Sequence, residues 1–184
     1  MLGLIIFVVV AIWLYSVYTK LIKATNSVKE ARSGIDVQLR KRYDLIPNLL
    51  TIANKFMEHE KELLTEITKL RTLAMEAPTG SAASMAANAK LDSLLGQFKV
   101  SVENYPNLKS DSTMLHAMQS YNETEEHIAA SRRFYNSALS ELRNTAQIFP
   151  GSLFAYLAKS ELESVYYETS EEARQPVNAA QYLK

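Results

Sequence analysis

Four charged residues, Arg42, Glu60, Glu125 and Arg132, fall on helical phases that are otherwise apolar. Burying an unpaired charge is costly, so charges at such positions imply partners. Two acids and two bases point first to structural ion pairs that fix helix register. The same residues could instead form a polar or proton-coupled site, or lie at the surface in a different register. With the first and third long helices running parallel, Arg132 is expected to reach Glu60. Glu125 is then expected to face Arg42 or its neighbours, in a poorer alignment.

A second set, Asp36, Arg40, Asp44 and Asn48, repeats every four residues and so lies in one stripe on a helix. Its i,i+4 pairs of opposite charge stabilise a solvated face by a few tenths of a kcal/mol each. The alternative use of the stripe is docking of a protein partner. The basic run Arg40-Lys41-Arg42 lies about 30 Å along a straight helix from Lys20, too far to meet a bilayer there.

Two clusters place carboxylates near an imidazole: His59 with Glu60, Glu62 and Glu66, and His127 with Glu123 and Glu126. A di-iron bundle needs Glu-x-x-His on paired helices. Phe56 and Thr124 stand where those glutamates would be, so no metal and no cofactor are expected. The chain has no cysteine, which excludes thiolate chemistry, disulfides and a lipid-modified cysteine anchor. Its five glycines are scattered rather than gathered in a phosphate loop. Acidic and basic residues number 20 each, so no net field draws nucleic acid, and none is expected as a partner.

The elements that must carry these residues are helices. Residues 1–19 hold no charged side chain. As a helix they reach about 28 Å, close to the hydrocarbon thickness of a bilayer. Trp13, Tyr15 and Tyr18 lie toward the end of this run, where aromatic rings favour an interface, and Lys20 and Lys23 follow. A cleaved signal peptide would need basic residues before the apolar core and small residues after it. Here the apolar run begins at Leu2, and Trp13-Leu14-Tyr15 occupies its end. The expectation is an uncleaved anchor over 1–22 that contacts lipid through residues 1–19. Lys20, Lys23, Lys29 and Arg32 follow the span, which puts the following domain in the cytoplasm and the N-terminus outside. The alternative places that domain on the periplasmic or extracellular side.

Apolar residues then recur at heptad spacing from Ile35 to Ala74, predicting one long helix from Lys20 to Met75 with a bend at Gly34 or a kink at Pro47. Ala77-Pro78-Thr79-Gly80-Ser81 reads as a loop. A second helix starts at Ala82 and stops at Tyr105-Pro106-Asn107. A third, capped by Ser110 or Asp111, runs to Phe149 and is broken by Pro150-Gly151. A short fourth helix is predicted over Leu153–Tyr166. The fold class is therefore all-α: an N-terminal transmembrane helix, then an up-down antiparallel helical bundle over 23–168 with long first and third helices, then a tail over 169–184. Leu21, Ile22, Val28 and Ala31 precede the part of the bundle that could cover them. They are expected to form a self-association strip, the alternative being contact with lipid headgroups.

The stretch Arg32–Leu50, with Asp44-Leu45-Ile46-Pro47-Asn48 beside the basic triplet, resembles the signature of the LemA family. Lys55–Glu60 and Tyr105-Pro106-Asn107-Leu108-Lys109 are similar to further blocks of that family. So is Tyr121–Phe154, with Glu125, Ile128, Arg132, Tyr135, Asn136 and Phe149-Pro150. The resemblance covers most of the chain after its first 20 residues. It implies a membrane-anchored helical domain of bacterial type, at the cell (inner) membrane, with no established enzymatic activity. The chain departs from the family after Phe149-Pro150, where it reads Gly151-Ser152-Leu153-Phe154. The expected function is non-enzymatic, through protein–protein interaction and self-assembly as a homo-oligomer. One alternative is a structural, membrane-shaping or organelle-associated protein. The third is a metal-binding or enzymatic bundle.

Overall fold

The computed structural model describes residues 1–167, and every regular element among them is helical. The expected tail over 169–184 lies outside the described residues. Helix α1 (Leu2–Ala53) is one uninterrupted element of 52 residues, long enough for about 78 Å. Its first part is exposed and apolar and meets the length and hydropathy of a membrane span. Burial begins at Leu21, so the same helix passes from this apolar stretch into the bundle without a break.

The long first helix expected to run to Met75 is instead two helices. α1 ends at Ala53, the chain turns through Asn54–Met57 and the 3-10 turn Glu58–Glu60, and α2 (Lys61–Glu76) runs back along it. Arg71 and Ala74 meet Tyr43, and Thr79 meets Asp36, which fixes that direction. The fully buried Met57 plugs the turn. Neither Gly34 nor Pro47 breaks α1. The carbonyl of Tyr43, which Pro47 cannot satisfy, accepts instead from Arg71 Nε at 2.6 Å.

After the Pro78–Gly80 turn, Ser81 caps α3 (Ala82–Glu103) by accepting from the Ser84 amide. The one-turn α4 (Pro106–Lys109) opens on proline. Asp111 caps α5 (Ser112–Gln147) by accepting from the Met114 amide at 2.9 Å. α5 packs mainly on α1, and α2 mainly on α3. Arg42 lies against Glu125 and Trp13 against Phe149, so α5 runs antiparallel to α1. The extra reversal at Asn54–Met57 is why the first and third predicted helices are not parallel. The core is a heptad seam: Leu21, Val28, Ile35, Leu39, Ile46 and Leu49 of α1 face Tyr121, Ile128, Tyr135, Leu139 and Leu142 of α5, closed by Leu91, Leu95 and Phe98 of α3.

The predicted fourth helix over Leu153–Tyr166 is a 3-10 segment, Gly151–Ala158, followed by one turn of α6 (Lys159–Leu162) and extended chain. Gly151 is required there, because a Cβ would overlap the Thr145 carbonyl. This return segment lies back along α1 and α5. Asn136 clamps its end, donating to the Tyr167 carbonyl at 2.8 Å and accepting from the Tyr167 amide at 3.0 Å. α5 and the return segment together cover the strip assigned to self-association. Leu21, Val28 and Ala31 are buried within the chain and Ile22 is half-buried, so the strip has intramolecular partners.

Candidate functional site

The chemistry-bearing side chains meet at mid-bundle around Arg42. It has no exposed surface, yet it carries a charge. Its Nη1 donates to Asp92 and, at 3.3 Å, to Glu125, and its Nη2 donates to the Asn88 side-chain oxygen. Asn88 in turn accepts from the Tyr43 hydroxyl at 2.9 Å and donates to the Ser84 carbonyl at 2.8 Å, which fixes the orientation of its amide. The second oxygen of Asp92 lies 3.7 Å from Arg132, whose guanidinium covers the ring of Tyr167. One chain of alternating charge, Glu125–Arg42–Asp92–Arg132, thus ties α1, α3, α5 and the return segment.

Electrostatics follow from this geometry. Burial works against the Arg42 charge, but Asp92 and Glu125 more than offset it, and the guanidinium pKa rises. Burial, reinforced by the neighbouring Glu125, pushes the Tyr121 phenol well above its ordinary value. A smaller cluster lies nearer the apolar start of α1. There Arg32 donates to the buried Glu161 and to Ser164, each at 2.8 Å. Burial opposes the Arg32 charge too, and Tyr135 and Glu161 raise its pKa in spite of it.

The structure brings Arg42 and Glu125 together but separates Arg132 from Glu60. Glu60 sits in the distal turn, on the order of 25 Å along the bundle from the level of Arg132. Among the described residues Glu60 forms no ion pair. Sequence reading did not find Asn88 and Asp92. They flank Leu91 on α3, and Asn88 is as buried as the apolar seam. A polar residue one turn before a seam leucine was the available signal.

The stripe divides. Asp36 is half-buried and accepts from Thr79 at 2.5 Å, while Arg40, Asp44 and Asn48 stay exposed. Asp36, Arg40 and Asp44 border a recess whose other wall is Ala74–Thr79. Farther along, Pro47, Leu50 and Asn54 face Lys61, Leu64 and Thr68 across an open cleft between α1 and α2. The groove has an apolar floor and polar rims. The three histidines are exposed, and among the described residues no three His, Asp or Glu side chains converge as metal ligands would.

The chain is 25% identical over 165 residues to Magnetosome protein MamQ 2 and to Magnetosome protein MamQ 1 of Paramagnetospirillum magneticum. Those alignments cover 76% of this chain and 61% of each relative, so the chain spans less than two thirds of their length. It is 23% identical over 161 residues to Protein LemA of Metamycoplasma hominis, covering 83% of this chain and 74% of that one. The sequence profile of the LemA family matches residues 31–180, which include both walls of the groove and the whole Arg42 network, and the chain belongs to that family.

Proposed function

We propose that the protein is a non-catalytic, membrane-tethered helical arm that recruits a protein partner through the α1–α2 groove. The observation that carries this reading is the division of charge. Arg42 and its carboxylates are consumed inside the bundle, whereas Arg40 and Asp44 stay exposed at the recess beside the apolar-floored cleft, and Asn48 is exposed one turn beyond Asp44. Such a cleft accepts an amphipathic helix, with floor contacts giving affinity and rim charges giving specificity. The lysines that follow the span favour a cytoplasmic bundle at a bacterial inner membrane, with the N-terminus outside.

The experiment is site-specific photocrosslinking in native membranes, with the photoreactive side chain at Arg40 or Asn48 and a control at Arg133 on α5. The expected result is a discrete adduct from the groove positions alone, lost on the charge reversal Asp44→Lys. Equal labelling at Arg133, or adducts indifferent to that reversal, contradict the reading. A second reading is favoured by the names of two relatives, both magnetosome proteins. In it the arm is a structural component of a membrane-bounded compartment. Adducts made only of further copies of this chain would support that reading over recruitment of a different protein.

A further inference from the structure

The bundle has a second apolar surface that α1's own span does not account for. From Asn144 to Ala158 the chain carries no charged residue, while Arg143 and Lys159 bracket the stretch. This is the turn from α5 into the return segment. On it Ile148, Phe149, Leu153 and Tyr156 stay more than half exposed, Phe149 at 68% and Tyr156 at 72%. In a domain whose other seams are buried, such a patch needs an occupant.

The contacts of the turn fix its height. The Phe149 ring packs on Trp13, 6.3 Å between centroids, and Phe154 meets Tyr18 edge-on at 6.0 Å. Phe149 therefore lies at the level of Trp13, about 10 Å to the membrane side of Lys20, the first charged residue of α1. Phe154 lies near the level of the boundary itself. The polar groups are turned the other way. Arg143 donates to the Ser164 carbonyl at 2.6 Å and covers the Tyr166 ring, which directs its charge toward the bundle. Lys20, Glu141 and Asn144 border a cleft just above the turn. Charged groups thus end where the apolar patch begins, on the side wall of the span, and Gln147 and Ser152 are the neutral polar side chains exposed beside its rings.

We infer that the turn Ile148–Tyr156 is a second membrane-contacting element. Ile148, Phe149 and Leu153 enter the boundary between headgroups and acyl chains beside the span, and Tyr156 sits at headgroup level. Rings and aliphatic side chains on an uncharged turn suit that boundary. The bilayer is the occupant the height selects, because lipid is what surrounds the span at the level of Trp13. With the patch in lipid, the bundle touches the membrane at two points and its tilt is fixed. The inference rests on residues 2–19 spanning the bilayer, so its test includes a site in that span.

The chain lacks cysteine, so single cysteines at Phe149, Leu153 or Tyr156 can carry an environment-sensitive fluorophore in the full-length protein. Val9 in the span and Arg133 on α5 serve as controls, in phosphatidylcholine–phosphatidylglycerol vesicles. All three test positions are exposed, so the substitutions leave the core intact, and circular dichroism checks each variant. Shallow nitroxide-bearing lipids are expected to quench positions 149 and 153 by roughly two-fold or more, with position 156 affected less. Aqueous iodide should quench Arg133 but not positions 149 and 153. If iodide quenches 149 and 153 as strongly as 133 while Val9 remains lipid-quenched, the turn lies in water and the inference fails, although the span stands. If 149 and 153 are shielded from both quenchers and exchange energy between chains, a second copy covers the patch, and the inference also fails.

Discussion

Arg42 keeps its charge without solvent because three side chains from two other helices serve its two amino groups, although its Nε finds no acceptor. Asp92 and Glu125 balance the charge, and Asn88 takes the second amino group. Removing the cation leaves those acceptors facing a nonpolar void, the costly way to break a buried pair. Arg42→Met is expected to destabilise the bundle by ~3 kcal/mol or more, measured by urea unfolding in mild detergent. Asp92 is about one-third exposed and Glu125 remains in place, so Asp92→Asn should cost only about 1 kcal/mol. Equal losses would mean that Arg42 is not held as the geometry describes. Tyr121 adds a pH dependence. Burial first, and Glu125 second, raise its pKa above the ordinary value of 10.0. The stability it contributes is fully present below about pH 10 and is lost as pH rises toward the folded value, because the unfolded chain ionises first. Tyr121→Phe should therefore narrow the difference in stability between pH 9 and pH 11, and an unchanged difference would place the alkaline sensitivity elsewhere.

At the scale of elements, Pro47 and Arg71 form one device. Proline removes the amide that would satisfy the Tyr43 carbonyl, and Arg71 supplies a donor from α2 in its place. The two helices are thereby joined across a cleft that otherwise stays open. Arg71→Met should destabilise by about 1 kcal/mol in the native background and much less beside Pro47→Ala, where the restored amide satisfies the carbonyl. A double-mutant cycle without coupling would separate the two residues. The same region marks how far the sequence could be read. Caps and breaks with strong chemical signals were legible: Ser81, Asp111, Tyr105-Pro106 and Phe149-Pro150 all bound helices near the predicted positions. The turn at Asn54–Met57 was not, because it contains neither glycine nor proline and the heptad spacing continues through it. Buried Ala53 and Met57 stand one helical turn apart in sequence although the chain reverses between them. Missing that reversal inverted the relation of α1 to α5, which misassigned Arg132 to Glu60 and left Leu21, Val28 and Ala31 without partners. The Glu125–Arg42 contact needed only the shared seam phase. Asn88 and Asp92 needed the three-dimensional arrangement of α3.

At the scale of the molecule, α1 is a mast whose lower third has the length and hydropathy of a membrane span and whose upper part is a bundle helix. A hinge at the membrane surface would have to break the packing of Leu21 and Val28, both fully buried, and the aromatic contacts of Trp13 and Tyr18. The mast should therefore stand rigidly, carrying the distal turn after Ala53 about 50 Å above Thr19. Gly34 lies on its exposed face and weakens it, since glycine loses more backbone entropy in a helix than alanine does. A Cβ at Gly34 meets no atom within 4 Å, so nothing opposes the replacement. Gly34→Ala is expected to stabilise the protein by about 0.5–1 kcal/mol in urea unfolding. It should leave the height unchanged, read as energy transfer from a fluorophore at Asn54→Cys to acceptor lipids in the vesicle surface. A gain in stability together with a clear rise of the distal turn would mean that α1 bends at Gly34 in the membrane, and the mast would then be jointed. No gain in stability and no change in height would mean that Gly34 is not a weak point of α1, and the entropy argument for it would fail.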